Sequence, residues 1–232
     1  MNWSAVVLDI EGTTTPIAFV YEVLFPFARR RLRSYIRDPR HAGELREALG
    51  LLKKEFEADS AGPAHAGRHD LEASVERLMD EDRKSPGLKA LQGLIWQDGY
   101  RTGELKGEVF PDVAPAFRLW RDRGVRVAIY SSGSELAQRL LFGNTSADGD
   151  LTPLIARYFD TRVGAKVEAD SYRTIVRELD RPAGDVLFIS DVTAELDAAR
   201  TAGCQTRLCL RPGNRSQPPN HHETIRTFDD IL

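Results

Sequence analysis

The fold of this chain is decided near its amino terminus, by the stretch Ala5-Val6-Val7-Leu8-Asp9-Ile10-Glu11-Gly12-Thr13-Thr14-Thr15-Pro16. Its apolar run, residues 5 to 8, is too short for a helix and has the β-branched character of a buried strand. Gly12 and Pro16 break regular structure immediately afterwards. We therefore expect Asp9 and Glu11 to lie in an active-site mouth at the end of a buried strand, as a carboxylate nucleophile beside an acid-base partner would.

Size and composition restrict the class of protein. The chain has 232 residues, of which 41% are hydrophobic, which is enough for one large domain or a core domain with a smaller insertion. Thirty-five acidic residues against thirty-two Lys and Arg give a formal charge of -3, and neither sign forms a long block. This balance argues against nucleic acid as the main partner.

No segment approaches the roughly 18 uninterrupted apolar residues of a membrane-spanning helix, and the amino terminus does not have the pattern of a signal peptide. We therefore expect a soluble cytoplasmic protein without a membrane partner. The two cysteines, Cys204 and Cys209, are separated by an odd number of positions in a strand-like segment, which would point them to opposite faces. We expect both to be reduced structural thiols.

Residues 19 to 105 are predicted to be helical. Apolar residues at helical spacing predict helices over residues 45–56 and 71–79. Ser85 followed by Pro86 is typical of a helix start and opens a third helix from about Gly87 through Trp96. Between the first two helices, residues 58–67 are rich in Ala, Gly and Pro, and they are predicted to form a loop.

From residue 107 onward, helices alternate with short apolar runs, a pattern that favours a parallel sheet covered by helices. The predicted strands cover residues 125–130, 186–190 and 206–210. Asp112 and Asp170 are predicted helix caps, and Gly203 is a predicted helix end. Residues 211–222 are interpreted as a surface loop. The fold class is thus α/β, with a Rossmann-like parallel-sheet core over residues 1–18 and 106–232 and an inserted helical cap domain over residues 19–105.

Four polar groups follow the predicted strands, and ligands of open parallel sheets bind at the carboxyl ends of strands. The groups are the Asp9/Glu11 pair, the run Ser131-Ser132-Gly133-Ser134, Lys166, and Asp191 with Glu195 four residues later. Hydroxyls and backbone N–H groups at a helix start are suited to a phosphate dianion. A lysine ammonium can neutralise phosphate oxygens in the transition state.

The acidic residues of these groups outnumber the single lysine. Two carboxylates about 4 Å apart repel by roughly 4 kcal/mol at an effective dielectric constant near 20. A divalent cation would relieve this repulsion, and an all-oxygen set of ligands without His or Cys favours magnesium over zinc.

The order of these motifs resembles the haloacid dehalogenase superfamily of aspartate-nucleophile phosphotransferases, over essentially the whole chain. The resemblance narrows to the enolase-phosphatases of methionine salvage. It rests on five segments: Asp9-Ile10-Glu11-Gly12-Thr13-Thr14, Trp96-Gln97-Asp98-Gly99-Tyr100, Gly103-Glu104-Leu105-Lys106-Gly107, Tyr130-Ser131-Ser132-Gly133-Ser134 and Ser190-Asp191-Val192-Thr193-Ala194-Glu195-Leu196.

That resemblance implies a bifunctional enzyme that converts 2,3-diketo-5-methylthiopentyl 1-phosphate into an acireductone and phosphate, as a monomer with one magnesium ion. Asp9 would be the nucleophile, and Glu11 would act as acid and base and is the candidate enolising base. Ser131, Ser132 and Lys166 would hold the phosphate. Asp9, Glu11 and Asp191 would hold the metal, and Glu11 could do so through its side chain or its backbone carbonyl.

The sequence departs from the general superfamily pattern at two places. Glu11 stands where most phosphatases of the superfamily have a second aspartate, which matches the enolase-phosphatase branch. Ser190, Asp191 and Glu195 stand where many members have a Gly-Asp pair and a further Asp. The resemblance leaves open a magnesium-dependent phosphatase of another small phosphorylated metabolite, a dehalogenase, and a non-catalytic relative that binds a phosphorylated ligand or a protein.

Each motif also has a structural interpretation. An Asp-x-Glu pair after a strand is typical of turns and helix caps, and Lys166 alone would be a solvated surface residue. The structural alternatives for the other residues are as follows: Ser131, Ser132 and Asp191 could cap helices; Glu195 could orient Asp191 or face solvent; Trp96 and Tyr100 could simply pack; and His65, His69, His221 and His222 show no metal-binding pattern.

Overall fold

The computed structural model describes residues 2–58, 68–81, 83 and 85–232, with the backbone alone for residues 68–70. The predicted loop over residues 58–67 lies, apart from Ala58, outside the described residues. The chain divides into two compact units. The first unit is Met1–Val20 with Lys106–Leu232, and the second is Tyr21–Leu105.

The first unit is built on a six-stranded parallel sheet. Its strands are β1 (Ala5–Leu8), β2 (Arg126–Tyr130), β3 (Arg157–Phe159), β4 (Val186–Ser190), β5 (Gln205–Cys209) and β6 (Thr224–Ile225), in the order β3-β2-β1-β4-β5-β6. In the register of the sheet, Leu8 lies between Ile129 of β2 and Ile189 of β4. The polar residues that follow these three strands are therefore brought to one edge of the sheet.

Four helices of the first unit connect and cover these strands. They are α5 (Val113–Asp122), α6 (Glu135–Gly143), α7 (Ala169–Leu179) and α8 (Thr193–Thr201). A core between strands and helices contains Tyr130, Tyr172 and Phe188, all at most 1% exposed. Since apolar strands alternate with helices along the chain, the predicted α/β class with a Rossmann-like parallel sheet is confirmed.

Every element of the second unit that the structure describes is a helix. The helices are α1 (Phe25–Arg37), α2 (Leu45–Ala58), α3 (Arg68–Asp80) and α4 (Pro86–Thr102), and the chain leaves the first unit through a π-helix, Phe19–Leu24. The Ser85 side chain accepts a hydrogen bond from the Leu88 N–H at 2.9 Å and caps α4 as predicted. That helix continues two turns beyond the predicted end, as far as Thr102.

Trp96 and Tyr100 are buried inside this second unit, at 9% and 5% exposure. The Trp96 indole donates to the Leu24 carbonyl at 2.9 Å, and burial raises the pKa of Tyr100 above its usual range. Both residues therefore have a packing role within the unit. Across the part of the chain that the structure describes, no helix is long and apolar enough to cross a bilayer.

Two strands were not predicted from the sequence, because they are short and carry polar residues. β3 has three residues and begins with the exposed Arg157, while β6 has two residues, just after the predicted loop over residues 211–222. At this length neither strand shows the alternation or the apolar run that marks a strand in a sequence.

Two predicted helix caps lack the expected capping role. Asp112 occupies the N-cap position of α5, as predicted, but its carboxylate makes no capping hydrogen bond. It accepts instead from both Nη atoms of Arg211, at 3.0 and 2.7 Å, and from the Phe228 N–H at 2.6 Å. Asp170 lies in the first turn of α7, whose N-cap position is Glu168. In both cases an arginine competes for the carboxylate, since Asp170 pairs with Arg173.

Candidate active site

The turn after β1 holds Asp9 at the edge of the sheet. The Ile10 carbonyl accepts hydrogen bonds from the N–H groups of Thr13, Thr14 and Thr15, at 3.2, 3.0 and 2.9 Å. The Thr14 hydroxyl donates to the Asp9 carbonyl at 3.1 Å. Asp9 itself is only 5% exposed. The predicted break in regular structure is therefore a compact, internally bonded turn that fixes a buried carboxylate.

Lys166 joins two carboxylates in the interior of the first unit. Its Nζ lies 2.5 Å from Asp9 Oδ1 and 2.7 Å from Glu195 Oε2, and its side chain is 10% exposed. The Ser190 hydroxyl donates to the same Glu195 oxygen at 2.9 Å. Lys166 is therefore not a solvated surface residue, and Glu195 pairs with Lys166 while Lys166 also pairs with Asp9.

The loop that carries Lys166 is tied to the neighbouring elements by three hydroxyl groups. Tyr130 donates to the Gly164 carbonyl at 3.0 Å, and Tyr172 donates to the Lys166 carbonyl at 2.7 Å. The Ser171 hydroxyl donates to the Ala165 carbonyl at 2.7 Å. Gly164 has a φ of 130°, a conformation that favours glycine. The loop thus positions the ammonium group before any ligand binds.

Burial and crowding shift the pKa values of the acidic residues upward. Burial, followed by the charges of Asp9 and Glu195, raises the pKa of Asp191 to about 7. Burial and the Asp9 charge also raise the pKa of Glu195, although Lys166 opposes the shift. Burial alone would lower the pKa of Lys166, but attraction to Asp9 and Glu195 outweighs it and the pKa is raised. This acidic excess is the electrostatic condition in which a cation binds.

The serine run after β2 separates into two roles. Ser134, and not Ser131 or Ser132 as considered from the sequence, caps α6 by accepting from the Ala137 N–H at 3.3 Å. The Ser131 oxygen accepts from the Gly133 N–H at 3.1 Å, which leaves its hydroxyl proton able to donate to an anion. Ser131 is buried and Ser132 is exposed, both just beyond the end of β2.

The structure brings Asp9, Lys166 and Glu195 into direct contact, with Asp191 close enough to share their electrostatic field. Glu11 is half-buried, two residues after Asp9, and its backbone forms a bridge to Thr15. The predicted residues therefore follow β1, β2 and β4, with Lys166 in the loop between β3 and α7, and this is the edge of the sheet where parallel strands place ligands.

Sequence reasoning gave Asn214 no role, because it lies in a stretch interpreted as surface loop. Its Nδ2 donates to the Gly12 carbonyl at 2.9 Å and to the Cys209 carbonyl at 3.1 Å. One signal could have found it. Asn214 follows the carboxyl end of a predicted parallel strand, where loops carry ligand-binding residues.

Two side-chain oxygens of the kind that a small hard cation binds lie beside Gly12. Gly12 has a φ of 73°, and a Cβ there would stand 2.6 Å from Asp191 Oδ2 and 2.8 Å from Asn214 Oδ1. Among the described residues, no three His, Cys, Asp or Glu side chains cluster in a metal-binding arrangement. The oxygens beside Gly12 are those of a carboxylate and an amide, and magnesium accepts both together with backbone oxygens.

The site thus has a buried aspartate at the end of β1, a lysine from a later loop that pairs with it, and acidic residues after β4. The class of protein to which such a site belongs is given by a comparison with known families. A family model described as haloacid dehalogenase-like hydrolase matches residues 3–203. Such hydrolases generally use magnesium.

Individual relatives are more specific. The chain is 48% identical to enolase-phosphatase E1 of Synechococcus elongatus, over 98% of this chain and 97% of that protein. It is 48% identical to enolase-phosphatase E1 of Klebsiella pneumoniae, over 98% and 96%. The crystal structure of the UTR4 protein (Unknown transcript 4 protein) of Saccharomyces cerevisiae shares 36% identity and superposes with a TM-score of 0.83, covering 99% of this chain and all of that one. The chain belongs to the enolase-phosphatase E1 family of the haloacid dehalogenase-like hydrolases.

Proposed function

We propose that this chain is an acireductone synthase of methionine salvage. It would convert 2,3-diketo-5-methylthiopentyl 1-phosphate into 1,2-dihydroxy-3-keto-5-methylthiopentene and phosphate, by enolisation followed by dephosphorylation. The observation that carries the proposal is the Asp9–Lys166–Glu195 ion-paired group beside Asp191. Full-length similarity to enolase-phosphatase E1 proteins supports the choice of substrate over other phosphorylated metabolites.

In this proposal Asp9 attacks phosphorus. A bond forms between a carboxylate oxygen of Asp9 and phosphorus, and the ester bond from phosphorus to the substrate oxygen breaks. Glu11 gives a proton to the leaving oxygen and then takes one from the water that attacks the aspartyl phosphate. Phosphate leaves, and Asp9 and Glu11 return to their starting protonation states.

Lys166 would neutralise the transferring phosphate, while the hydroxyls of Ser131 and Ser132 donate to its oxygens. Glu195 holds Lys166 in place through the 2.7 Å contact. Since Lys166 already contacts Asp9, the positive charge stands where negative charge develops during transfer.

Magnesium, one ion per subunit, would be held by Asp9, Asp191 and the backbone carbonyl of Glu11, and it would supply positive charge to polarise the diketone and the phosphate. We assign Glu11 as the base that removes the proton in enolisation.

The helical second unit is proposed as the cap domain that recognises the thioether end. We also propose a monomer in the cytoplasm, a location with which the buried free thiols of Cys204 and Cys209 agree.

A single assay tests the proposal. The purified protein is incubated with the diketo phosphate and magnesium chloride, and enediol absorbance and phosphate release are recorded in one sample, with a chelated control. An enediol signal followed by metal-dependent phosphate release is the expected result. Phosphate release from other esters alone would instead indicate a general phosphatase, and no reaction at all would favour a ligand-binding relative.

A further inference from the structure

The two ends of the Asn214 carboxamide have different surroundings. Its Nδ2 donates to the Gly12 and Cys209 carbonyls, at 2.9 and 3.1 Å. Because a carbonyl oxygen only accepts hydrogen bonds, these two contacts establish which end of the amide is the nitrogen. The other end, Oδ1, is an acceptor whose orientation is therefore fixed as well.

Asn214 Oδ1 is buried, and no donor among the described residues forms a hydrogen bond with it. A buried polar atom without a partner is costly, so an atom of this kind calls for a specific explanation. Its position supplies one. Oδ1 and Asp191 Oδ2 both lie beside Gly12, at 2.8 and 2.6 Å from the point where a Cβ would stand.

A bound cation would keep Asp191 ionised, so that this carboxylate has no proton to donate to Oδ1, and Lys166 is already paired with Asp9 and Glu195. Magnesium usually keeps several of its water molecules when it binds to a protein, and those waters are hydrogen-bond donors. A hydrated cation beside Asp191 would therefore supply both the charge that the carboxylate lacks and the donor that Oδ1 lacks.

We infer that Asn214 is a positioning residue of the metal site, whose Oδ1 accepts a hydrogen bond from a water of the hydrated magnesium ion at Asp191. Its Nδ2 holds the Gly12 turn in place at the same time. The inference rests on the proposed function, since it requires a cation at this position. It adds a residue of the β5 loop to a site otherwise drawn from the ends of β1, β2 and β4 and from the loop after β3.

The test is a magnesium titration of the purified full chain, with magnesium chloride alone and no substrate. Binding is measured by isothermal titration calorimetry and by the rise in melting temperature. Asn214→Ala should weaken magnesium binding by about tenfold or more, because loss of an outer partner typically costs 10- to 100-fold in metal affinity. The magnesium-induced rise in melting temperature should shrink accordingly.

The matched control is Gln217→Ala in the same loop. Gln217 Oε1 accepts from the Thr193 N–H and hydroxyl, at 3.1 and 3.2 Å, so this variant removes two loop contacts that belong to α8. It should lower the melting temperature of the metal-free protein but keep the magnesium affinity of the wild type. If Asn214 only anchored the loop, both variants would behave in this way.

Asn214→Asp tests the role of Oδ1 separately from that of Nδ2. It keeps an oxygen at Oδ1 but replaces the Nδ2 donor, so we expect a lower metal-free melting temperature with magnesium affinity at or above that of the wild type. Wild-type affinity in Asn214→Ala, or equal losses in Asn214→Ala and Asn214→Asp, would overturn the inference alone. A wild-type protein that does not respond to magnesium would overturn the proposed metal dependence as well.

Discussion

The arginines of α1 and the lysine of the candidate active site both pair with carboxylates, but in different surroundings. In the second unit, four-residue spacing along α1 and α3 builds a ladder of three pairs: Arg29 with Asp80, Arg33 with Glu76, and Arg37 with Glu72. These arginine side chains are 47–59% exposed, and the acidic partners range from the exposed Asp80, at 60%, to the buried Glu72, at 3%. Water can solvate both partners of the Arg29–Asp80 pair if the pair opens, so a pair of this kind contributes little to stability.

In the first unit, one lysine at 10% exposure faces two carboxylates, with the charge of Asp191 nearby. Burial removes the solvation that would compensate an unpaired charge, so the excess of acid is costly until a cation binds. The number of ion pairs in a region therefore says little, by itself, about what those pairs do. The balanced, exposed pairs align two helices, while the unbalanced, buried group is suited to binding and chemistry.

The largest effect is expected from Asp9→Asn, which keeps the shape of the side chain but removes the nucleophilic charge. Phosphate release should fall by about four orders of magnitude or more, whereas the enediol signal should persist. Asp170→Asn is the matched control, because that side chain is 87% exposed and should tolerate the same change. Undiminished phosphate release in Asp9→Asn would remove Asp9 as the nucleophile.

The next effect compares the two kinds of ion pair directly. Lys166→Met leaves buried carboxylates uncompensated and should lower the free energy of unfolding by about 3–5 kcal/mol near neutral pH. Arg29→Met in the exposed ladder should cost less than about 1 kcal/mol. Urea denaturation measures both. Equal losses would mean that burial does not separate the two groups as argued.

The pH dependence of stability should have opposite signs in the two regions. The raised pKa of Asp191, about 7, means that the folded protein holds this proton more tightly than the unfolded chain, so stability is lost as the pH rises from about 4 to about 7. In the second unit, hydrogen bonds from Arg40 lower the pKa of Asp38 to about 2. Its contribution is present above about pH 4 and is lost as the pH falls towards 2.

Melting temperatures of the metal-free protein at about pH 5 and about pH 8 test the first sign. The wild type should lose more stability over this interval than Asp191→Asn does. Magnesium chloride should stabilise the wild type more at the higher pH, because protons compete for Asp191 at the lower one. Parallel pH profiles for the wild type and Asp191→Asn would contradict the role of this carboxylate.

The smallest effects are expected from two serines of the run after β2, which have different roles. Ser134→Ala removes the cap of α6 and should cost about 1 kcal/mol of stability, with little change in the kinetics of phosphate release. Ser131→Ala should do the reverse, raising KM about tenfold through loss of one hydrogen bond to the phosphate, with a smaller change in melting temperature. If both variants changed the same parameter, the division of roles along this run would be wrong.

Much of the fold was predictable because apolar strands with strong turn signals are locally encoded. Local sequence signals mark the strand before Asp9 and the strands before Ser131 and Asp191. They also mark the helix opened by Ser85. The very short strands β3 and β6 were not predictable from the sequence, since their pairing depends on neighbouring strands already present in the sheet.

The members of the site were predictable from their places after parallel strands, but their partners were not. The contact between Lys166 and Glu195, and the use of the Asp112 carboxylate by Arg211, join residues far apart in the sequence. Local rules for helix caps predicted a different use for Asp112, because they contain no information about such partners. Asn214 was missed for the same reason, since its contacts with Gly12 span 202 positions.

The central place of β1 in the sheet has a consequence for biosynthesis. β1 pairs with β2 and β4, and β4 follows it by about 180 residues in the chain. At a translation rate of about 5–20 residues per second, this partner emerges from the ribosome roughly 9–36 s after β1. During that interval the apolar strand needs protection from aggregation. A nascent chain arrested before residue 214 would carry Asp9 without the hydrogen bond from Asn214 to the adjoining Gly12 turn.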